Sequence, residues 1–287
     1  MAEAVKIVEV GPRDGLQSEA RIIPATDKVR LVDRLSLTGL QTIEVASFVS
    51  PKWVPQMADG AQVLAAIQRK AGVAYAALVP NLQGYHRARA AAADEVAVFI
   101  SASEGFSRKN INCTIAESLE RVRRLTAAAR ADGVAVRGYV SCVIACPYDG
   151  PTPPDVVARL TQELLEIGCY EVSLGDTIGA GDPSSVSGML EGALKLVPAR
   201  LVAGHFHDTG GKALSNIGAS LEMGLRVFDA SVGGLGGCPF APGAPGNVAT
   251  GAVVAFLAAR GFETGIDVEL LGEAARLALE LKGGLTR

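Results

Sequence analysis

The chain has 287 residues, 49% of them hydrophobic, and a formal net charge of −3. No apolar stretch reaches the roughly 20 residues that a membrane-spanning helix needs, and acidic and basic residues are interspersed, which excludes a transmembrane protein and argues against a nucleic-acid or membrane-surface partner. A chain this long buries a large core without disulfides and matches the size of one eightfold β/α barrel. We therefore expect a single domain, residues 1–287, that acts on a small molecule.

Two further features concern the cellular location and the thiols. The N-terminal six residues lead directly into a strand-like segment, without the pattern of a secretion signal or a transit peptide, so we predict a cytoplasmic protein. The five cysteines form an odd set without a CxxC pair, which favours neither a disulfide framework nor a structural zinc site. We expect reduced thiols at Cys113, Cys142, Cys146, Cys169 and Cys238.

Strand-like runs recur along the chain, and three of them follow a helical pattern that ends in glycine. The glycines are Gly39, Gly168 and Gly224, and this order is typical of a helix that ends at glycine and leads into a parallel strand. In chain order, the predicted strands cover residues 5–10, 42–45, 73–79, 95–100, 134–141, 170–173, 201–206 and 227–230.

Amphipathic helical segments separate these strands. One begins with the capping box from Thr114 to Glu117 and ends at Gly133, and another begins near Pro154. Eight strands that alternate with helices, without a linker or a low-complexity stretch, predict a (β/α)8 TIM barrel of the α/β class. A doubly wound parallel sheet is the alternative fold.

Polar residues follow the predicted strands at the end where such a barrel builds its active site. Arg13 and Asp14 follow the first strand, and Glu44 lies near the end of the second. Asp176 follows the sixth strand, and a glycine-rich run at 233–247 follows the eighth. We interpret this set as a candidate active site and assign Arg13, Glu44 and Asp176 to substrate binding.

Two of the three histidines, His205 and His207, are separated by one residue on a predicted strand. Side chains two positions apart on a strand face the same way, so both imidazoles are expected at the barrel mouth. With Asp14 as a carboxylate ligand and Asn247 as a neutral oxygen ligand, the pair favours a metal site over a buried structural pair. Two nitrogen and two oxygen ligands suit an octahedral divalent ion such as Mn²⁺ or Mg²⁺.

Arg13 and Cys238 are further catalytic candidates. A guanidinium beside a proposed metal ligand can stabilise negative charge on a substrate oxygen, whereas most surface arginines only bind water. Cys238 lies in the 233–247 run, where six glycines and three prolines predict an irregular exposed loop in which a thiol can react. A plain surface loop is the alternative, and we expect the other four cysteines to pack in the interior.

These residues lie in segments that resemble the hydroxymethylglutaryl-CoA lyases, barrel metallolyases related to the isopropylmalate and homocitrate synthases. The resemblance covers nearly the whole chain. The matching segments are Val8–Gln17, Ile43–Met57, Lys109–Cys113, Arg137–Cys142, Cys146–Tyr148, Ser173–Gly179, His205–Thr209 and Gly236–Phe240. The resemblance implies the same metal-binding set, Arg13 against the substrate thioester carbonyl, and Cys238 as the active-site thiol.

The chemistry that this resemblance implies is a retro-Claisen cleavage of 3-hydroxy-3-methylglutaryl-CoA to acetyl-CoA and acetoacetate. A base takes the proton of the C3 hydroxyl, the C2–C3 bond breaks, and the acetyl-CoA enolate is protonated. His205 and Cys238 are candidates for moving these protons, the divalent metal would lower the pKa of the hydroxyl, and Arg13 would stabilise the enolate. Family members are often dimers, so a homodimer is expected.

The chain departs from the family pattern after Asn247. The family usually continues with Asn-Leu-Ala-Thr and two acidic residues, but here Thr250 is followed by Gly251 and Ala252, and Ala20 stands where a lysine is common. Lyases for citramalyl-CoA or isohexenylglutaryl-CoA are therefore alternatives. A condensing synthase, a non-haem Fe(II) oxygenase and an acyl-CoA-binding homologue without turnover are further alternatives, which explain fewer of the site residues.

Overall fold

The structure, a computed structural model, describes residues 2–238 and 241–283. Eight parallel strands, labelled β1 to β8 in chain order, close into a barrel in which each strand pairs with the next and β8 pairs with β1. The (β/α)8 prediction is thus confirmed, and the doubly wound sheet is wrong. The strands are β1 Lys6–Glu9, β2 Thr42–Ser47, β3 Ala74–Leu78, β4 Glu95–Ser101, β5 Ala135–Ser141, β6 Glu171–Asp176, β7 Val202–Phe206 and β8 Val227–Ala230.

The helices lie between the strands in sequence and cover the barrel. The described residues form α1 Ala25–Ser36, α2 Gly60–Ala66, α3 Leu82–Ala90, α4 Glu104–Ile111, α5 Ile115–Ala131, α6 Pro154–Ile167, α7 Pro183–Leu194, α8 Ala213–Glu222, α9 Thr250–Ala258 and α10 Val268–Gly283. The predicted capping box is present at the start of α5, where Thr114 and Glu117 each cap the backbone of the other. None of the helices in the described ranges combines the length and apolarity needed to cross a bilayer.

Burial explains why the strands do not alternate between apolar and polar residues. All six residues of β2 and of β6 are buried, because one face points into the filled barrel and the other packs beneath the helices. The strands nevertheless carry buried charged residues, namely Glu9, Glu44, Glu95, Arg137, Glu171, Asp176 and Asp229. A buried charge is costly unless it is paired, so these residues indicate where the functional part of the barrel lies.

Within the described residues, three short strand pairs lie outside the barrel. The pairs are Glu3–Ala4 with Phe262–Glu263, Ala145–Cys146 with Gly150–Pro151, and Gly237–Cys238 with Ala241–Pro245. The third pair lies within the 233–247 run, so the predicted irregular loop contains a short strand pair. Glycine and proline are depleted from strands, and a run rich in both concealed the pairing.

Candidate active site and metal centre

Arg13 and Asp14 lie on a π-helical turn, Gly11–Gly15, that follows β1. The turn forms because the carbonyl of Val10 accepts three successive backbone N–H groups, those of Arg13, Asp14 and Gly15. At its start, a Cβ on Gly11 would lie 2.6 Å from Glu9 Oε1, so only glycine fits this position. The turn therefore holds a cation and an anion side by side at the carboxyl end of β1.

The four predicted metal ligands lie together at this end of the barrel. Potential ligand atoms of Asp14, His205 and His207 are all within 4.8 Å of one another. Asn247 forms an antiparallel bridge with His207, and its Nδ2 donates to Asp14 Oδ2 at 2.7 Å. Because that amide nitrogen is engaged, the remaining polar atom of the Asn247 side chain is Oδ1, an oxygen of the kind that binds divalent cations.

The charges and hydrogen bonds of this group fit a divalent cation. His207 Nδ1 is buried and has no hydrogen-bond partner, which costs about 1–3 kcal/mol unless another group engages it. Burial and the neighbouring His205 lower the pKa of His207 to about 4, so it is a neutral imidazole. Burial alone would raise the pKa of Asp14, but Arg13 and the two histidines bring it down to about 2, so it is a carboxylate.

His205 is oriented by Asp229 of β8. Its Nδ1 lies 3.1 Å from Asp229 Oδ2, which also accepts a hydrogen bond of 2.7 Å from Ser173. Burial opposes the charge on Asp229, but Arg137 and His205 hold its pKa below the usual range. Because Asp229 is an ionised acceptor, the Nδ1 of His205 carries the proton and Nε2 is left for a ligand, as in other carboxylate–histidine pairs at metal sites.

Glu44 orients Arg13. Arg13 Nε donates to Glu44 Oε1 at 2.6 Å and Nη2 to Oε2 at 3.3 Å, while Nη1 contacts Asp14. Tyr139 donates to Glu44 Oε2 at 2.8 Å, and Glu44 is only 1% exposed. Both oxygens of Glu44 are therefore engaged by protein groups, and the residue supports Arg13. A direct contact between Glu44 and a substrate stays a prediction.

Asp176, the other predicted substrate-binding carboxylate, holds the turn after β6. Its Oδ1 accepts from the backbone of Ala180 at 3.1 Å and its Oδ2 from that of Gly181 at 2.8 Å. The residue is fully buried, and burial raises its pKa. A direct contact between Asp176 and a substrate stays a prediction.

The cysteines differ in what can be said of them. The side chain of Cys238 lies outside the described part of the structure, so its predicted role as an active-site thiol stays a prediction. The other four thiols are buried and free, as expected, and burial raises the pKa of Cys142 and of Cys169 to about 12. Thiols with such high pKa values are unreactive near neutral pH.

The residues that replace the usual acidic pair lie in the first turn of α9. Gly251 and Ala252 are exposed, and a Cβ on Gly251 would meet no atom within 4 Å. The helix has no side-chain cap and no acidic residue in its first turn. Space for a side chain is therefore present at position 251.

The sequence interpretation missed a buried polar group beneath the site. Arg137 and Tyr139 of β5, Glu171 and Ser173 of β6, and Asp229 of β8 all lie inside the barrel and bond to one another or to predicted site residues. The sequence did contain a signal for this group, namely a charged residue within a strand that is predicted to be buried on both faces. Such a residue requires a buried partner.

Comparisons with known proteins agree on one family. Residues 4–278 match the HMGL-like family model. The HMG-CoA lyase structure from Brucella melitensis superimposes with a TM-score of 0.97 at 61% identity, covering 98% of this chain and 100% of that one. The mitochondrial hydroxymethylglutaryl-CoA lyase of Bos taurus is 55% identical over 94% of this chain and 83% of its own. A Pseudomonas aeruginosa protein, named 3-hydroxy-3-isohexenylglutaryl-CoA/hydroxy-methylglutaryl-CoA lyase, is 54% identical over 96% and 92%.

Proposed function

Because the chain belongs to the HMGL-like family, we propose that it cleaves the C2–C3 bond of 3-hydroxy-3-methylglutaryl-CoA to give acetyl-CoA and acetoacetate. One observation carries this proposal: the Arg13 guanidinium contacts Asp14, which lies within 4.8 Å of both histidines. A cation that would face the thioester oxygen and a set of ligands for a metal that would face the hydroxyl oxygen therefore lie at the same barrel mouth. A retro-Claisen cleavage needs these two groups on either side of the breaking bond.

Asp14, His205, His207 and Asn247 would hold a divalent metal, Mg²⁺ or Mn²⁺. When bound, the metal supplies Lewis-acid chemistry that lowers the pKa of the substrate hydroxyl. The charge of the buried network supports a divalent ion, because the two guanidinium groups of Arg13 and Arg137 face four carboxylates and leave a formal charge of −2. The four carboxylates belong to Asp14, Glu44, Glu171 and Asp229.

The reaction moves two protons, and His205 and Cys238 are the proposed carriers. The hydroxyl proton leaves first, and the electrons of the oxygen form the ketone of acetoacetate. The C2–C3 bonding pair then becomes the enolate of acetyl-CoA, which takes a proton at C2. Nδ1 of His205 is bonded to Asp229, so Nε2 would either bind the metal or take the hydroxyl proton, and it cannot do both at once. Cys238 is outside the proposed ligand set, and we assign the protonation of C2 to it.

Arg13 stabilises the charge that develops on the thioester oxygen during cleavage. Its guanidinium is only 6% exposed and is bonded on two sides by Glu44 and Asp14, so it needs little reorganisation when the enolate forms. A preorganised cation in a water-poor site stabilises a transition state more than a mobile surface arginine does.

Turnover of purified protein on a thioester panel tests the proposal. Chelator-treated protein is supplied with Mn²⁺ or Mg²⁺ and then with the 3-hydroxy-3-methylglutaryl, 3-hydroxy-3-isohexenylglutaryl or citramalyl thioester of CoA, and products are identified by mass. We expect acetyl-CoA and acetoacetate from the first thioester in the presence of metal. The isohexenyl thioester is included because the Pseudomonas aeruginosa relative is named for both substrates. Release of acetyl-CoA without added metal, or from none of the three, would contradict the proposal.

We also propose a homodimer in the cytoplasm. Relatives carry both mitochondrial and cytoplasmic names, so cellular fractionation is the appropriate test of location. Light scattering after size exclusion should give twice the chain mass of 29.6 kDa. A mass equal to that of one chain would contradict the dimer.

A further inference from the structure

We propose that Arg137 is a positioning residue that sets His205 and Arg13 relative to each other from beneath the site, through two separate chains of contacts. The inference rests on the proposed function, because it assigns the two residues at the ends of these chains to catalysis. It concerns a side chain that lies three contacts away from Arg13 and two from His205.

Arg137 crosses the inside of the barrel. It is the third residue of β5 and is 1% exposed, yet its guanidinium reaches Asp229 of β8 at 2.8 Å. Strands β5 and β8 are separated by β6 and β7 in the closed barrel, so this ion pair cannot run along the sheet and must pass through the interior. The side chain therefore lies directly below the group of ligands at the mouth.

The first chain of contacts leads from Arg137 to His205. Arg137 Nη2 pairs with Asp229 Oδ1, while Asp229 Oδ2 bonds to Nδ1 of His205 and to the hydroxyl of Ser173. The cation thus holds one carboxylate oxygen and leaves the other facing the imidazole. Through this carboxylate it fixes the orientation of the imidazole and therefore where Nε2 lies.

The second chain leads from Arg137 to Arg13. Arg137 Nη1 donates to the Tyr139 hydroxyl at 2.8 Å, Tyr139 donates to Glu44 Oε2 at 2.8 Å, and Glu44 Oε1 accepts from Arg13 Nε at 2.6 Å. A guanidinium can only donate, so the direction of each hydrogen bond is determined: Tyr139 accepts from Arg137 and must give its proton to Glu44. The two guanidinium carbons lie 5.0 and 5.9 Å from the Tyr139 ring centroid.

A third contact keeps the guanidinium itself in place. Arg137 Nε donates to Glu171 Oε1 at 2.7 Å, so Nε and Nη1 donate hydrogen bonds, while Nη2 forms the ion pair with Asp229 without the alignment of a hydrogen bond. The planar fork of arginine makes these three contacts from three separate nitrogens, and a lysine ammonium cannot reproduce them from one point. Arg137→Lys must therefore disturb both chains, whereas Tyr139→Phe removes the hydroxyl that joins Arg137 to Glu44 and keeps the ring beside His205 and the Arg137–Asp229 ion pair.

This asymmetry can be tested with Arg137→Lys, Tyr139→Phe and the double variant, with Tyr170→Phe as a matched control. Tyr170 is also a tyrosine beside this network, but it bonds to Glu95 and belongs to neither chain. For each protein we would measure kcat and KM on 3-hydroxy-3-methylglutaryl-CoA, the Kd for Mn²⁺ alone, and Tm.

Tyr139→Phe should lower kcat by about tenfold or more, with KM and the Mn²⁺ Kd little changed, because Arg13 alone loses its support. Arg137→Lys should lower kcat at least as much and also weaken Mn²⁺ binding about tenfold, the scale seen when the partner of a ligating histidine is lost. The double variant should have the kcat of Arg137→Lys, because residues that act in one chain are not additive. Tyr170→Phe should keep the wild-type kcat, KM and Mn²⁺ Kd, and only its Tm should fall, because Glu95 loses the tyrosine hydroxyl.

Two results would overturn the inference. One is a folded Arg137→Lys protein with wild-type kcat and Mn²⁺ affinity, and the other is a double variant in which the two losses in kcat multiply. If Arg137→Lys does not fold, Asp229→Asn takes its place in the Mn²⁺ measurement, and unchanged Mn²⁺ affinity there would refute the chain to His205. If the wild-type protein does not cleave this thioester, the proposed function fails, while the Mn²⁺ measurement still decides that chain.

Discussion

Glu9 links the two segments that carry Asp14 and Asn247. It is the last residue of β1 and is fully buried, and its Oε1 accepts from the backbone of Gly11 at 2.7 Å and of Val232 at 2.8 Å. Its Oε2 accepts from the Thr250 hydroxyl at 2.6 Å. Burial outweighs these three hydrogen bonds and raises the pKa of Glu9 from 4.5 to about 7.

The raised pKa predicts how stability depends on pH. The folded protein keeps the Glu9 proton up to about pH 7, whereas the unfolded chain loses it near pH 4.5. The stability that Glu9 contributes is therefore fully present below pH 4.5 and is lost as the pH rises through about 7. At about 1.36 kcal/mol for each pKa unit, the loss amounts to about 3 kcal/mol. For a chain of this length, a loss of that size lowers Tm by about 5 °C relative to a protein that lacks the Glu9 carboxyl.

The assay compares the wild-type protein with Glu9→Gln. Glutamine has nearly the same shape as glutamate but does not titrate. Over this pH range the free energy of unfolding of the wild type should therefore fall by about 3 kcal/mol relative to that of Glu9→Gln, which favours the Gln variant at high pH. Urea unfolding at several pH values measures it. In the control Glu120→Gln the carboxyl is exposed, and its hydrogen bonds to Arg124 and Arg123 hold its pKa below 4.5, so no such change is expected above that pH. A constant difference for Glu9→Gln from pH 4.5 to 7 would refute the reasoning.

Four further predictions concern the site. His207→Ala should weaken Mn²⁺ binding about tenfold or more, measured by calorimetry, because it removes a ligand while the other three stay in place; unchanged affinity would remove His207 from the ligand set. Arg13→Met should lower kcat by about 10²-fold with little change in KM, since enolate charge appears only as the bond breaks; a normal kcat with a raised KM would make Arg13 a substrate anchor instead. Cys238→Ala should bind Mn²⁺ and melt like the wild type but lose most cleavage activity, whereas Cys169→Ala should mainly lower Tm; wild-type turnover by the first variant would remove the thiol from the mechanism. Gly251→Glu should raise the free energy of unfolding by about 1 kcal/mol, because it replaces glycine within a helix and adds a negative charge to its first turn. Urea unfolding measures this, with Gly251→Lys as the control, since lysine also replaces the glycine but adds no negative charge. Equal stability of the two variants would exclude the charge effect.

The sequence by itself determined the barrel and the residues at its mouth. Burial of parallel strands on both faces produces apolar runs, and helices that end at glycines such as Gly168 separate them, so the alternation was visible in one dimension. The ligand candidates were visible for a similar reason. His205 and His207 are two positions apart on a strand, and Asp14 directly follows another, so the strand period and the barrel geometry together place them at one end.

Only the tertiary structure decided what these residues bond to. The support that Glu44 gives to Arg13 was not visible in the sequence, because the residues that engage Glu44 come from a turn 31 positions away and from a strand 95 positions away. The partners of Arg137 likewise lie on β6 and β8, and no spacing in the sequence relates them. Side chains meet inside a closed barrel according to the register of strands that are distant in sequence, and register is set by the packing of the whole barrel. The buried network beneath the site therefore became visible only when the strands were closed into a ring.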